Sequence, residues 1–193
     1  MRATEFLIEY AGMDQPFTDL HQDPDSVPNN VSFNATIPNT NKKLFINFWN
    51  TVSNSSGSNS FKVVDISFGI RRSDASWTEY DPPTGIKGTP QAQTNARLMF
   101  RILSTVVTAL DRYIAEYGTP EAFSFAPATP KLGQLYSRLE PRITKKYGYT
   151  PVSLIKLGDI ASNATVDDYH SIFEFFDTRG EYFVRNDLVR EYD

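Results

Sequence analysis

The sequence predicts an α/β fold: a single mixed, largely antiparallel sheet of about six to eight strands carrying two main helices. Three observations lead there. Val31–Ile37 (VSFNATI) sets Val31, Phe33, Ala35 and Ile37 on one face, and Leu44–Trp49 (LFINFW) follows across Pro38–Asn41, so the two read as a hairpin. Phe61–Arg72 (FKVVDISFGIRR) is apolar enough for a central strand. From there to Leu157 the strand and helix periods alternate as β-α-β-α-β, which implies crossover connections within a mixed sheet.

The elements follow in order. Thr4–Tyr10 (TEFLIEY) alternates and is rich in strand formers. Residues 13–30 hold Pro16, Pro24 and Pro28 among Asp and Asn, and read as a long loop. Ser53–Ser60 (SNSSGSNS) is a polar loop by composition. Residues 73–92 read as irregular, with three prolines and two glycines. The strongest helix follows: Ala96, Met99, Leu103, Val106, Leu110, Ile114 and Tyr117 recur at three- and four-residue steps. Thr94 or Asn95 is its expected cap, and Gly118 its end. Ala122–Ala126 (AFSFA) reads as a short strand. A second helix is expected over Lys131–Tyr147, with a kink or break near Leu139–Glu140 because Pro141 falls inside it. Tyr149–Leu157 reads as a strand. Tyr169–Phe176 and Glu181–Asn186 flank Asp177–Gly180 as a hairpin, with a helix over Asp168–Phe176 as the alternative. The expected organisation is one α/β domain over 1–193: an N-terminal meander over 1–72, a β-α-β-α-β core over 61–157 and a C-terminal hairpin over 168–187.

Composition excludes several classes. Apolar residues at 40% and charged residues at 22% are ordinary soluble usage, which excludes a disordered, collagen-like or coiled-coil chain. There is no cysteine, so disulfides, thiol catalysis and zinc–thiolate sites are excluded. No apolar run approaches the roughly 18 residues of a membrane span. The first residues lack the apolar core of a signal peptide, so a cytoplasmic protein is expected, with no membrane partner.

Charge is uneven. Residues 1–60 carry 3 basic and 6 acidic side chains, residues 61–150 carry 12 and 8, and residues 151–193 carry 4 and 9. The net charge of −4 does not suit a general nucleic-acid binder. Within the basic middle, Arg138, Arg142 and Lys145 recur at helical steps, with Lys146 and Lys131 beside them. They can track phosphates, with Tyr136 and Tyr147 as a stacking platform. The competing reading is a solvated helix face with lysines at its negative end.

Most chemical constellations are absent. His21 and His170 lack metal-ligand spacing, and no metal site is expected. No phosphate-binding GxxxxGK[ST], GxGxxG or nucleophile-elbow GxSxG pattern occurs. The acidic pairs Asp23/Asp25, Glu79/Asp81 and Asp167/Asp168 read as turn residues. The sequons at Asn30, Asn34, Asn54 and Asn163 read as chance in an Asn/Ser/Thr-rich chain.

The order of strand, helix, short strand and then a helix holding Leu135-Tyr136-Ser137-Arg138-Leu139 resembles the core of the GNAT acyltransferase fold. The resemblance implies that a helix N-terminus cradles the pyrophosphate of acyl-CoA, here at the turn Gln91–Asn95 with Gln91, Gln93, Thr94 and Asn95. It implies Tyr136 as general acid to the departing thiolate. Exposed N–H groups at a helix start bind anions, and a phenol can protonate a thiolate. The segments Arg101–Val107, Phe123–Ala126 and Leu135–Leu139 are also similar to uncharacterised proteins encoded by tailed phages. That implies a viral source, in the host cytoplasm or the virion.

Two functions from different classes follow. The first is a non-catalytic binding or structural protein on a GNAT-like scaffold, without a cofactor, which meets a protein partner or assembles with itself. Gln91–Ala96 carries no glycine to let a phosphate approach, which favours this reading. Phe45, Phe48, Trp49 or Trp77 then mark a contact surface, unless they fill the core. The alternative is a divergent acyl-CoA-dependent N-acyltransferase using acetyl-CoA and Tyr136. A nucleic-acid binder using the basic helix stands third.

Overall fold

The computed structural model describes residues 15–27, 29–38, 42–50, 61–71, 77–79, 90–125, 137, 139–164 and 180–190. The expected strand Thr4–Tyr10, the loop Ser53–Ser60 and Tyr169–Phe176 fall outside them.

Alternating apolar residues make the central strands. In β2 (Asn30–Thr36) the side chains of Val31, Phe33 and Ala35 are buried, and in β3 (Lys43–Asn50) those of Leu44, Ile46 and Phe48. The two pair antiparallel over Asn30↔Trp49 to Thr36↔Lys43, the expected hairpin. β4 (Val63–Arg71) pairs antiparallel with β3. β1 (His21–Gln22) adds to β2, and β5 (Trp77–Glu79) to the end of β4. The segment 73–92, expected to be irregular, therefore contains a short strand.

Helix α1 (Pro90–Tyr117) carries the chain from β4 to β6 (Ala122–Phe125). β6 is parallel to β4, as expected of this crossover, but the ladder runs only over Val63↔Ala122, Val64↔Phe123 and Asp65↔Ser124. α1 starts at Pro90 rather than at a Thr94 or Asn95 cap. Proline suits a first helical position, because its missing N–H would have no partner there. Gly118 ends the helix at φ 83°, and its N–H donates to Ile114 O at 3.0 Å.

Helix α2 (Glu140–Tyr147) begins at the expected break near Leu139–Glu140, and residues 131–136 and 138 of the expected helix lie outside the described residues. Pro141 lies in its first turn, where its missing N–H removes no helical hydrogen bond. The expected strand Tyr149–Leu157 divides into β7 (Tyr149–Val152) and helix α3 (Leu154–Ala164). Ser153 makes the switch: its Oγ accepts from Lys156 N at 3.2 Å and its O from Leu157 N at 2.9 Å. β8 (Glu181–Arg185) runs into helix α4 (Asn186–Arg190). Its described partners are not the arm of a hairpin. It inserts between β6 and β7, antiparallel to both.

One eight-stranded mixed sheet results, ordered β1-β2-β3-β4-β6-β8-β7, with β5 on β4 off that path. Among the described strands only β4 and β6 run parallel as neighbours. α1 and α2 cover one face, where Ile102, Val106, Leu110 and Ile143 meet Phe33, Ile46, Ile66 and Phe123. Phe48 stacks on Tyr113 at 4.6 Å between ring centroids. On the other face α3 packs Leu157, Ile160 and Ala161 against Val63, Ala122, Tyr182 and Val184. Leu157 and Ile160 are fully buried, each contributing roughly 1.5–3 kcal/mol, so α3 is a real part of the fold.

Candidate functional site

The parallel pair positions one candidate. In open α/β sheets ligands bind beyond the carboxyl ends of the parallel strands, next to the helix that crosses between them. Here β6 pairs with β4 at Val63–Asp65 and β5 pairs with it at Gly69–Arg71, so Ile66–Phe68 lies between the two ladders. Gln91, Gln93, Thr94 and Asn95 belong to the opening turns of α1, not to a turn ahead of it. The residues just before the helix are instead Gly85-Ile86-Lys87-Gly88-Thr89, which supply the glycines that Gln91–Ala96 lacks. No acidic side chain occupies the first turn of α1, so none there offsets the positive end of the helix dipole. Tyr136 and Arg138 lie outside the described residues, as do the side chains of Gln91, Gln93, Thr94, Asn95 and Trp77.

At the last pair of the β4–β6 ladder, Ser124 Oγ donates to Asp65 Oδ1 at 2.9 Å. Val64 and Ile66 face α1, so Asp65 points to the α3 side. Burial raises its carboxyl above the ordinary value, and the Ser124 bond offsets part of that. The sequence carried a weak sign of this pair: a lone acid inside FKVVDISFGI.

The basic residues of α2 divide. Arg142 and Lys145 are exposed. Lys146 Nζ donates to Asp111 Oδ1 and Oδ2 on α1, at 2.6 and 2.7 Å. Tyr147 donates its phenolic hydrogen to Asp111 as well. Its hydroxyl is held well above its ordinary pKa, first by burial and then by that bond to a carboxylate. Lys146 and Tyr147 thus fasten α2 to α1.

Other polar groups on α1 fasten residues 15–22 across it. Arg101 Nε donates to Gln15 O at 3.1 Å, and its guanidinium stacks 4.6 Å from the Phe17 ring. Thr105 Oγ1 accepts from Phe17 N at 3.0 Å while donating to Arg101 O at 2.7 Å. Arg112 Nη1 donates to Leu20 O at 2.6 Å, and Gln22 Nε2 to Tyr117 OH at 2.8 Å. Nearby, Asp25 N donates to Asp23 Oδ1 at 3.1 Å, so this acidic pair is a turn.

A second candidate is the β2–β3 face turned away from α1. Strand alternation places Asn30, Ser32 and Asn34 there with Phe45, Asn47 and Trp49. Ser32 Oγ donates to Asn47 Oδ1 at 2.7 Å, which confirms the shared face. Trp49, paired with Asn30, is 54% exposed. Phe45 and Phe48, expected as possible contact residues, are buried at 5% and 1% exposure. The side-chain oxygens of Asn30 and Asn34 are buried without a hydrogen-bond partner. Asn34 is only 6% exposed, so this sequon cannot carry a glycan in the folded chain. Alternation marked the face in the sequence, but nothing there marked these amides as lacking partners.

Among the described residues no group of three or more His, Cys, Asp or Glu is placed to hold a metal ion. None of their helices is long and apolar enough to cross a membrane. Comparison with protein-family models, with curated proteins and with solved structures finds no match.

Proposed function

We propose that this chain is a non-catalytic binding or structural protein of phage origin on a GNAT-like scaffold, with its contact surface on the β2–β3 face around Trp49. The observation that carries this reading is the exposed Trp49 ring beside the polar row of Asn30, Ser32 and Asn47. An indole left half in water on a sheet is a typical anchor for a partner. The order β4, β5, α1, β6, α2, β7 along the chain supports the scaffold part, since the resemblance rests on the strand–helix alternation that follows β4 and its short partner β5. The partner is another protein or a second copy of the chain. The test is Trp49→Ala, read by sedimentation velocity and by retention of a co-purifying partner. Loss of association with an unchanged circular dichroism spectrum is expected. Association equal to wild type would remove Trp49 and this surface from the account.

One observation favours a second reading, a divergent acyl-CoA-dependent N-acyltransferase. The start of α1 at Pro90 makes Gly85–Thr89 the sequence that immediately precedes a helix N-terminus without an acidic first turn, and a glycine-containing segment before a helix start suits a pyrophosphate. Tyr136 is then the general acid that protonates the departing thiolate. On that reading Tyr136→Phe abolishes turnover and leaves the melting temperature unchanged. Unchanged turnover in that variant would end the assignment of Tyr136.

A further inference from the structure

We draw no further inference here: the strongest candidate, the buried side-chain oxygens of Asn30 and Asn34 on the β2–β3 face beside exposed Trp49, carries nothing because both are closed off from solvent and nothing in the structure shows what covers them.

Discussion

Ser124 Oγ donates to Asp65 Oδ1 at 2.9 Å across the β4–β6 ladder, on the last residue pair of the parallel junction between these two strands. The carboxyl is largely buried, and that burial is the main reason its proton is held more tightly than at the ordinary 3.8. The folded state therefore binds this proton better than the unfolded chain does. Stability from this group is present below the unfolded value and is lost as pH rises through the raised folded value. Each unit of difference is worth about 1.4 kcal/mol. Asp65→Asn keeps an acceptor for Ser124 and removes the titration. Urea unfolding at several pH values should show a flatter stability profile for the variant, and a more stable variant at neutral pH. A variant with the wild-type pH slope would show that Asp65 does not titrate between the two states.

The strap over α1 depends on a buried acceptor. Thr105 is fully buried, and its hydroxyl is the acceptor for Phe17 N. Thr105→Val keeps the shape and leaves that N–H without a partner. The expected cost is about 1–3 kcal/mol, with faster amide exchange at Phe17 than in wild type. An unchanged exchange rate at Phe17 would contradict the role given to this hydroxyl.

The α1–α2 clasp should be unequal in its parts. Lys146 and Asp111 are both more than 40% exposed at their side chains, so Lys146→Ala should cost no more than about 0.5 kcal/mol, and less in high salt. Tyr147 is partly buried and donates to the same carboxylate. Tyr147→Phe should cost about 1–1.5 kcal/mol. Denaturant unfolding of both variants checks the order, and a costlier Lys146→Ala would reverse it.

Gly118 stands at φ 83° with open space around an added Cβ. The penalty for Gly118→Ala is then backbone strain alone, about 1 kcal/mol, and Gly118→Asn should cost less. Equal stabilities for the three residues at this position, measured by thermal unfolding, would contradict a left-handed helix end.

The sheet and its long helix were legible because their signals are periodic over many residues. Val31, Phe33 and Ala35 alternate and are buried. Of the helical stripe, Leu103, Val106 and Leu110 are buried but Met99, Ile114 and Tyr117 only partly, because the most buried line runs through Ile102, Val106, Ala109 and Tyr113. Single-residue signals were harder. Pro90 reads as part of an irregular segment, yet it lies in the first turn of α1, whereas Pro141 stands at the expected break and opens α2. Ser153 inside YTPVSLIKL reads as one more strand residue, whereas its hydroxyl caps α3. The insertion of β8 between β6 and β7 is a long-range pairing that no local pattern encodes. Of the site, alternation along β3 separates exposed Trp49 from buried Phe48, but Phe45 shares the Trp49 face and is buried all the same. A cap at Thr94 or Asn95 sets the helix start about one turn after Pro90, which separates Gly85 and Gly88 from it in the sequence pattern.

Thermal melting of the full chain with and without excess acetyl-CoA separates the two readings most directly. A ligand that binds only the folded state at a hundred times its Kd adds about 2.7 kcal/mol, a rise of several degrees for a chain of this size. A binding protein working through Trp49 should melt at the same temperature with acetyl-CoA, free CoA or neither. A saturable rise of several degrees would contradict that reading and place the function at the start of α1.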